Sequence, residues 1–414
     1  MQYRNALFLS YDGLTDPLGQ SQVIPYLVGL RKIGHRITVI SFEKRKYQDR
    51  CVSIRKLLDL HDIAWHPSSY TAKPPVVSGL RDVDRMRRAA WRLHAQTPFD
   101  LVHARSYMPA IVALNMKHKL GNRLRFVFDM RGFWPDERVE GGSWKLSNPL
   151  FKMIYRYFKR KEANFFRESD AIVSLTNAGK RAIESMQISA QLPKIHVIPC
   201  CVDSDLFTPN TVSQERLFSL KTELGLNSAE LVLGYLGSIG SWYLLDEMLL
   251  MFKKVKSEYP SAKFLFVSQD SPESIHKTAI RVGVSPSDLV IRGATRDELP
   301  TILSCVDVGI CFIKACFSKQ ASSPTKLGEM LAMGIPVICN AGVGDVDELI
   351  RRSNAGVLLK GFSDEDLAFG VSKIQSLLEL DSHAIRESAI SELSLDLAIR
   401  RYAEVYNPVD RNAQ

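Results

Sequence analysis

SSPTKLGEMLAMGIPVI, residues 322–338, holds most of a strand–helix–strand unit. The apolar run VDVGICFI before it predicts a strand ending near Ile313, and PVICNA at its end predicts the next strand. Between them Pro324 leads into a short helix, Lys326 to Gly334, whose first turn leaves backbone N–H groups free. Lys326 and Glu329 stand three residues apart and so share a helix face.

Outward from this unit the same grammar repeats. LVLGYLG (Leu231 to Gly237) predicts a buried strand, Leu245 to Lys256 a helix, and FLFVSQ and LVIRG two further strands. The first half has its own set: ALFLS, RITVISF, LVHA, RFVFDM and AIVSLT as strands. A helix carrying Val23, Leu27 and Leu30 on one face separates the first two and ends at Gly34. IHVIPCCVDSDLFTPN, residues 195–210, with Pro199 and Pro209, predicts the crossing between two domains. The expectation is α/β: two Rossmann-like, doubly wound domains, 1–200 and 201–392, facing a central cleft, with the helix 393–406 packing back on the first.

A chain of 414 residues is long enough for two cores, since a single core stops growing at about 250–300 residues. Residues 1–200 hold 33 Lys and Arg against 17 Asp and Glu, whereas the remainder holds 21 against 28. The first half therefore suits an anionic partner, such as phosphate groups or an anionic lipid surface. Seven scattered cysteines without C-x-x-C pairs argue against a disulfide framework or a zinc site. No apolar run approaches the length of a membrane span, and Ala6 to Leu9 is too short for a signal peptide. These features predict a cytoplasmic protein that touches a membrane without crossing it. Two basic helices with apolar neighbours are candidates for the contact: one with Arg81, Arg85, Arg88 and Arg92, the other spanning Phe151 to Phe166. Each also reads as an ordinary amphipathic helix.

The polar residues that could carry chemistry gather where strands end. The ammonium of Lys326 can meet a diphosphate while the carboxylate of Glu329 accepts from ribose hydroxyls, a pairing that suits a nucleotide sugar; the same spacing also makes a surface ion pair. Gly237 and Ser238, in GSIG after a strand, form either a phosphate cradle or a tight turn. FDMRGFWPDERVEGG, residues 128–142, predicts a loop at the sheet's carboxyl edge that offers Asp129, Arg131, Asp136 and Glu137 to an acceptor. His103 and Arg105 end a neighbouring strand.

SPTKLGEMLAMGIPVI, with LVLGYLGSIG and GLTDPLGQSQ in the same order, resembles the retaining glycosyltransferases of family 4, which have the GT-B fold. The resemblance covers nearly the whole chain. It implies a transferase, independent of metal ions and without a cofactor. Its donor would be a UDP- or GDP-linked sugar held by the second domain, and its acceptor a saccharide, lipid-linked or soluble, held by the first. Lys326 and Glu329, together with Asp129 and Arg131 from the polar cluster of the first domain, are the expected catalytic residues. Gly19 and Gln20 match the family's glycine loop facing the diphosphate, and Arg292 and Gly293 lie where its base pocket forms; Ser323 and Thr325 complete the donor set. His103, Arg105, Asp136 and Glu137 are expected at the acceptor.

Two departures stand out. The family's first glutamate, eight positions before Glu329, is here Ala321, and its Arg/Lys pair is replaced by Ser238 and Tyr243. Phosphate charge therefore falls on Lys326 and on backbone N–H groups. The rival readings are a nucleotide-sugar epimerase of the same fold, a nicotinamide dehydrogenase, for which no G-x-G-x-x-G follows the opening strand, and a nucleic-acid-binding protein, for which no motif appears.

Overall fold

The computed structural model describes residues 3–73 and 77–407. Among the described residues thirteen strands form two separate sheets, and every strand pair within them is parallel. The first comprises β1 (Asn5–Ser10), β2 (Arg36–Glu43), β3 (Ile63–Ser69), β4 (Leu101–Arg105), β5 (Arg125–Asp129), β6 (Ala171–Ser174) and β7 (Ile195–Val197). The second comprises β8 (Val232–Leu236), β9 (Lys263–Val267), β10 (Leu289–Arg292), β11 (Val308–Cys311), β12 (Val337–Asn340) and β13 (Gly356–Leu359).

The orders are β3-β2-β1-β4-β5-β6-β7 and β10-β9-β8-β11-β12-β13. In each, the first strand of the unit lies between its second and fourth. That reversal is the topological switch point of a doubly wound sheet, and ligands bind outside the carboxyl ends of the strands there. Central strands are covered by helices on both faces, so they appear in the sequence as unbroken apolar runs rather than alternating ones. β1, for example, buries every residue from Ala6 to Ser10.

Unit 1 comprises residues 1–199 and 395–414, and unit 2 comprises 200–394. The helix Leu395–Tyr406 belongs to unit 1 and packs on the helix Ile24–Lys32: the Ile399 side chain fills the space a Cβ on Gly29 would need. In unit 2 both sheet faces are buried. Leu236, Leu265 and Met330 lie in one layer, and Tyr235, Phe252 and Phe264 in the other.

Three local readings need correction. The expected loop after β5 is partly helical, Trp134–Glu140, because Pro135 sits in its first turn with Asp136 and Glu137, which suit a helix N-terminus. The expected helix after β1 is two helices, Pro17–Gln22 and Ile24–Lys32, broken at Val23, since Pro25 supplies no N–H to continue the first. β3 and β13 are edge strands that apolar runs did not reveal; β3 alternates buried and exposed residues and contains Pro67, which an edge tolerates.

Candidate functional site

In unit 2, β8 ends at the switch point and the chain turns through Gly237, at φ +116°, a conformation open to glycine. A Cβ there would lie 2.8 Å from the Nζ of Lys326. Lys326 occupies the first turn of the helix Thr325–Ala332, with Pro324 before it making no side-chain cap; the Leu327 N–H donates to the Pro324 carbonyl at 3.1 Å, which leaves those of Thr325 and Lys326 available. The ammonium donates to the Tyr235 hydroxyl at 2.7 Å and lies over the Tyr243 ring, 3.4 Å from its centroid. Tyr235 in turn donates to the Ser238 carbonyl at 2.6 Å. Burial, only partly offset by Cys311, Glu329 and Asp270, pushes the Lys326 pKa down to about 8. A buried cation whose contacts are a hydroxyl and an aromatic face, not a carboxylate, is poised to gain from an arriving anion.

Glu329 lies one turn further along, also buried. Burial pushes its pKa up to about 7, against the pull of Arg296 and Lys326. The guanidinium of Arg296 approaches it at 3.4 Å. Arg296 escaped the sequence reading because TRDEL looks like a polar turn. The signal was there as a capping box: the Thr295 hydroxyl and the Glu298 carboxylate brace the turn that carries Arg296.

Other expected donor residues are placed less directly. The Thr325 residue opens the helix beside Lys326. The Ser323 hydroxyl accepts from the Cys200 N–H at 3.1 Å, which ties down the chain entering unit 2. Arg292, expected at a base pocket, reaches instead to Glu223 at 2.7 Å and sits near Glu298; Gly293 lies against the Gln269 amide. The N–H of Ile239, the next residue after Ser238, donates to Asp270, so this amide of the turn is already engaged.

In unit 1 the carboxyl ends of β1, β4 and β5 bring a second polar group together. Arg105 meets Asp12 at 2.8 Å. Asp129 is buried: its Oδ2 accepts from the Tyr402 hydroxyl at 3.0 Å and faces Nε2 of His103 at 3.3 Å, while Arg131 lies 3.8 Å from Oδ1, which makes no hydrogen bond. Burial opposes ionisation of Asp129, yet Arg131, then His103 and Arg105, hold its carboxyl below the usual range. Burial pushes the His103 ring the other way, toward neutrality. The neutral ring can then accept from the Tyr406 hydroxyl, 3.1 Å from Nδ1, and donate to Asp129 through Nε2. His103 is 2% exposed, so it acts behind Asp129 rather than at the surface.

Two non-glycine residues here hold positive φ: Ser106 (+73°) after β4 and Arg131 (+57°) after β5. Strain of this kind persists where the surroundings over-determine it, commonly at functional sites. Asp136, expected to meet an acceptor, is instead engaged within the unit by Tyr155 at 2.8 Å and Lys159 at 2.9 Å. Glu137 lies on the same short helix, facing Gly132.

Gly19 and Gln20 are built into the turn after β1. Gly19 is pressed against the backbone of Gly13 and Leu14, leaving no room for a Cβ, and the Gln20 amide donates to the Thr15 carbonyl at 3.0 Å. The turn itself is held by Glu43, an unanticipated residue at the end of β2, whose carboxylate accepts from Leu14 N at 3.1 Å and from Thr15 N at 3.0 Å. Among the described residues no cluster of metal-ligating side chains occurs.

Comparison with known proteins matches residues 23–206 to Glycosyltransferase Family 4 and residues 230–378 to Glycosyl transferases group 1. The chain is 25% identical over 281 residues to the D-inositol 3-phosphate glycosyltransferase of Segniliparus rotundus, covering 67% of this chain and 57% of that one. It is 26% identical over 194 residues to a Bacillus subtilis glycosyltransferase assigned by name to teichuronic acid biosynthesis, covering 46% of this chain and 45% of the other. The chain thus spans about half the length of the curated relatives it matches. Among solved structures, a glycosyltransferase from Rickettsia africae superposes over 100% of both chains with a TM-score of 0.71 at 18% identity.

Proposed function

Because this chain belongs to glycosyltransferase family 4, we propose that it transfers a sugar from a nucleotide-sugar donor to a saccharide acceptor, with retention of the anomeric configuration. The observation that carries the proposal is the buried Lys326 ammonium, unpaired by any carboxylate, beneath the Gly237 turn at a switch point. A diphosphate is the anion such a position suits: it gains the ammonium and the free N–H groups at the helix start. Glu329, on the same face and steadied by Arg296, would accept from donor hydroxyls.

Chemically, the leaving diphosphate can take the acceptor hydroxyl's proton on the face it departs from, so no second carboxylate is demanded. The protein contributes orientation and stabilisation of charge growing on the phosphate as the glycosidic bond breaks. In unit 1, Asp129, with Arg131 and Arg105 close by, is the proposed anchor for acceptor hydroxyls. A lipid-linked saccharide is the acceptor class favoured by the basic balance of residues 1–200.

The experiment is a transfer assay with UDP- and GDP-sugars and lipid-linked or free saccharide acceptors, run in the presence of EDTA, with the product's anomeric proton read by NMR. Acceptor-dependent transfer with retained configuration is expected. Inversion, or conversion of the donor alone into its epimer, would overturn the reading.

A further inference from the structure

The helix Pro149–Glu168 of unit 1 presents a face that no described residue of that unit covers. Its inward side is fixed by Ile154, Phe158, Phe165 and Phe166, all buried. Lys159, on that side, is taken up by Asp136 and Glu162. On the outward side Leu150, Met153 and Tyr157 are 50%, 62% and 43% exposed, and Leu146 in the preceding turn is 39% exposed. The spacings of three and four put Leu150, Met153 and Tyr157 on one stripe of the helix, with Leu146 exposed in the turn just before it.

Beside the stripe lie Lys152, Arg156 and Arg160, all exposed, four residues apart, and without an ion pair to any described residue. Between Lys145 and Lys161 the chain holds six basic residues and no acidic one. An exposed apolar stripe edged by unneutralised cations on one helix fits an anionic bilayer: the apolar residues enter the acyl boundary while the cations meet headgroup phosphates. A protein partner of ordinary surface would instead call for mixed charge at the rim.

The other basic helix, Val77–Gln96, contrasts with it. Arg85 is paired with Asp82, Arg87 and Arg88 are paired with Asp84, and Met86 is buried, so among the described side chains of this helix Leu80 alone is large, apolar and exposed. Two aspartates thus take up three of its five arginines from within the helix. Among the described residues no helix is long and apolar enough to cross a membrane.

We propose that the face formed by Leu146, Leu150, Met153 and Tyr157, with Lys152, Arg156 and Arg160, docks unit 1 onto an anionic lipid surface. The test is sedimentation of the full chain with vesicles of phosphatidylcholine alone or mixed with phosphatidylglycerol, with neither donor nor acceptor present, so its outcome is separate from that of the transfer assay. Binding should rise with phosphatidylglycerol and fall with salt. The triple variant Lys152→Gln/Arg156→Gln/Arg160→Gln should partition about a hundredfold less, and Met153→Ser/Tyr157→Ser should also lose binding. Arg81→Gln/Arg88→Gln should bind as the parent does. All variants are exposed substitutions, and circular dichroism checks that each is folded. Indifference to anionic vesicles at low salt overturns the proposal. So does loss of self-association, without loss of vesicle binding, in Met153→Ser/Tyr157→Ser, since the face would then belong to a second copy.

Discussion

Lys326 and Glu329 are both held in states that cost stability in the empty protein. Glu329 keeps its proton to about pH 7 when folded against an ordinary value of 4.5, so the unfolded chain ionises first. Stability therefore falls as pH rises from about 4.5 toward 7, and the cost is complete above that. For Lys326 the folded value of about 8 lies below the ordinary 10.5. Its cost is complete below pH 8 and fades as pH climbs toward 10.5. Near pH 7.5 both penalties apply, and each shift corresponds to about 3 kcal/mol. Lys326→Met is accordingly expected to raise the melting midpoint at pH 7.5 by a few degrees while cutting turnover by at least tenfold. Glu329→Gln should also abolish or sharply reduce transfer without loss of stability. Calorimetry beside the transfer assay checks both; a destabilised and fully active Lys326→Met would contradict the assignment. Affinity for UDP or GDP in the parent should weaken between pH 7 and 9.5 as the free ammonium loses its proton. In Lys326→Met it should stay flat across the same range, as read by titration calorimetry.

At the scale of elements, the connection from β4 into the helix Tyr107–Leu120 stores strain in one residue. Ser106 sits at φ +73°, ψ −178°, a region that suits glycine, while its N–H donates to the Asp129 carbonyl at 2.7 Å. Ser106→Gly should relieve that strain and, after the added freedom of the unfolded chain, still stabilise the protein by up to about 1 kcal/mol. Ser106→Ala keeps the strain and should bring no gain; equal stability of the two variants would show the backbone there to be unstrained. The same element explains what the sequence could tell. Central strands such as β1 and β8 were readable because burial on both faces demands uninterrupted apolar residues. Edge strands β3 and β13 were not, since they are half exposed and imitate loops. Lys326 and Glu329 were visible as a local helical pair, whereas Arg296 reaches Glu329 from 33 residues away and Tyr402 reaches Asp129 from 273 away. No periodicity encodes contacts made only by the fold, and that is why the supports behind both acidic residues went unread.

For the whole molecule, the division of charge follows the division of labour proposed here: the basic first half would meet acceptor and lipid, and the acidic second half would present the buried Lys326 to the donor. Ala321 stands where the resemblance leads one to expect a glutamate, so the proposed reading assigns the donor sugar to Glu329 and the helix start. The central claim is that the Lys326 pocket of unit 2 binds a nucleotide sugar. Its most direct test is thermal unfolding of the parent and of Lys326→Met across a panel of UDP- and GDP-sugars, because a ligand bound only by the folded form raises the midpoint by mass action. The account predicts that at least one nucleotide sugar, at a hundred times its Kd, stabilises the parent by about 2.7 kcal/mol, and that Lys326→Met loses most of this shift. No response to any nucleotide sugar, or an equal response in both proteins, would contradict it.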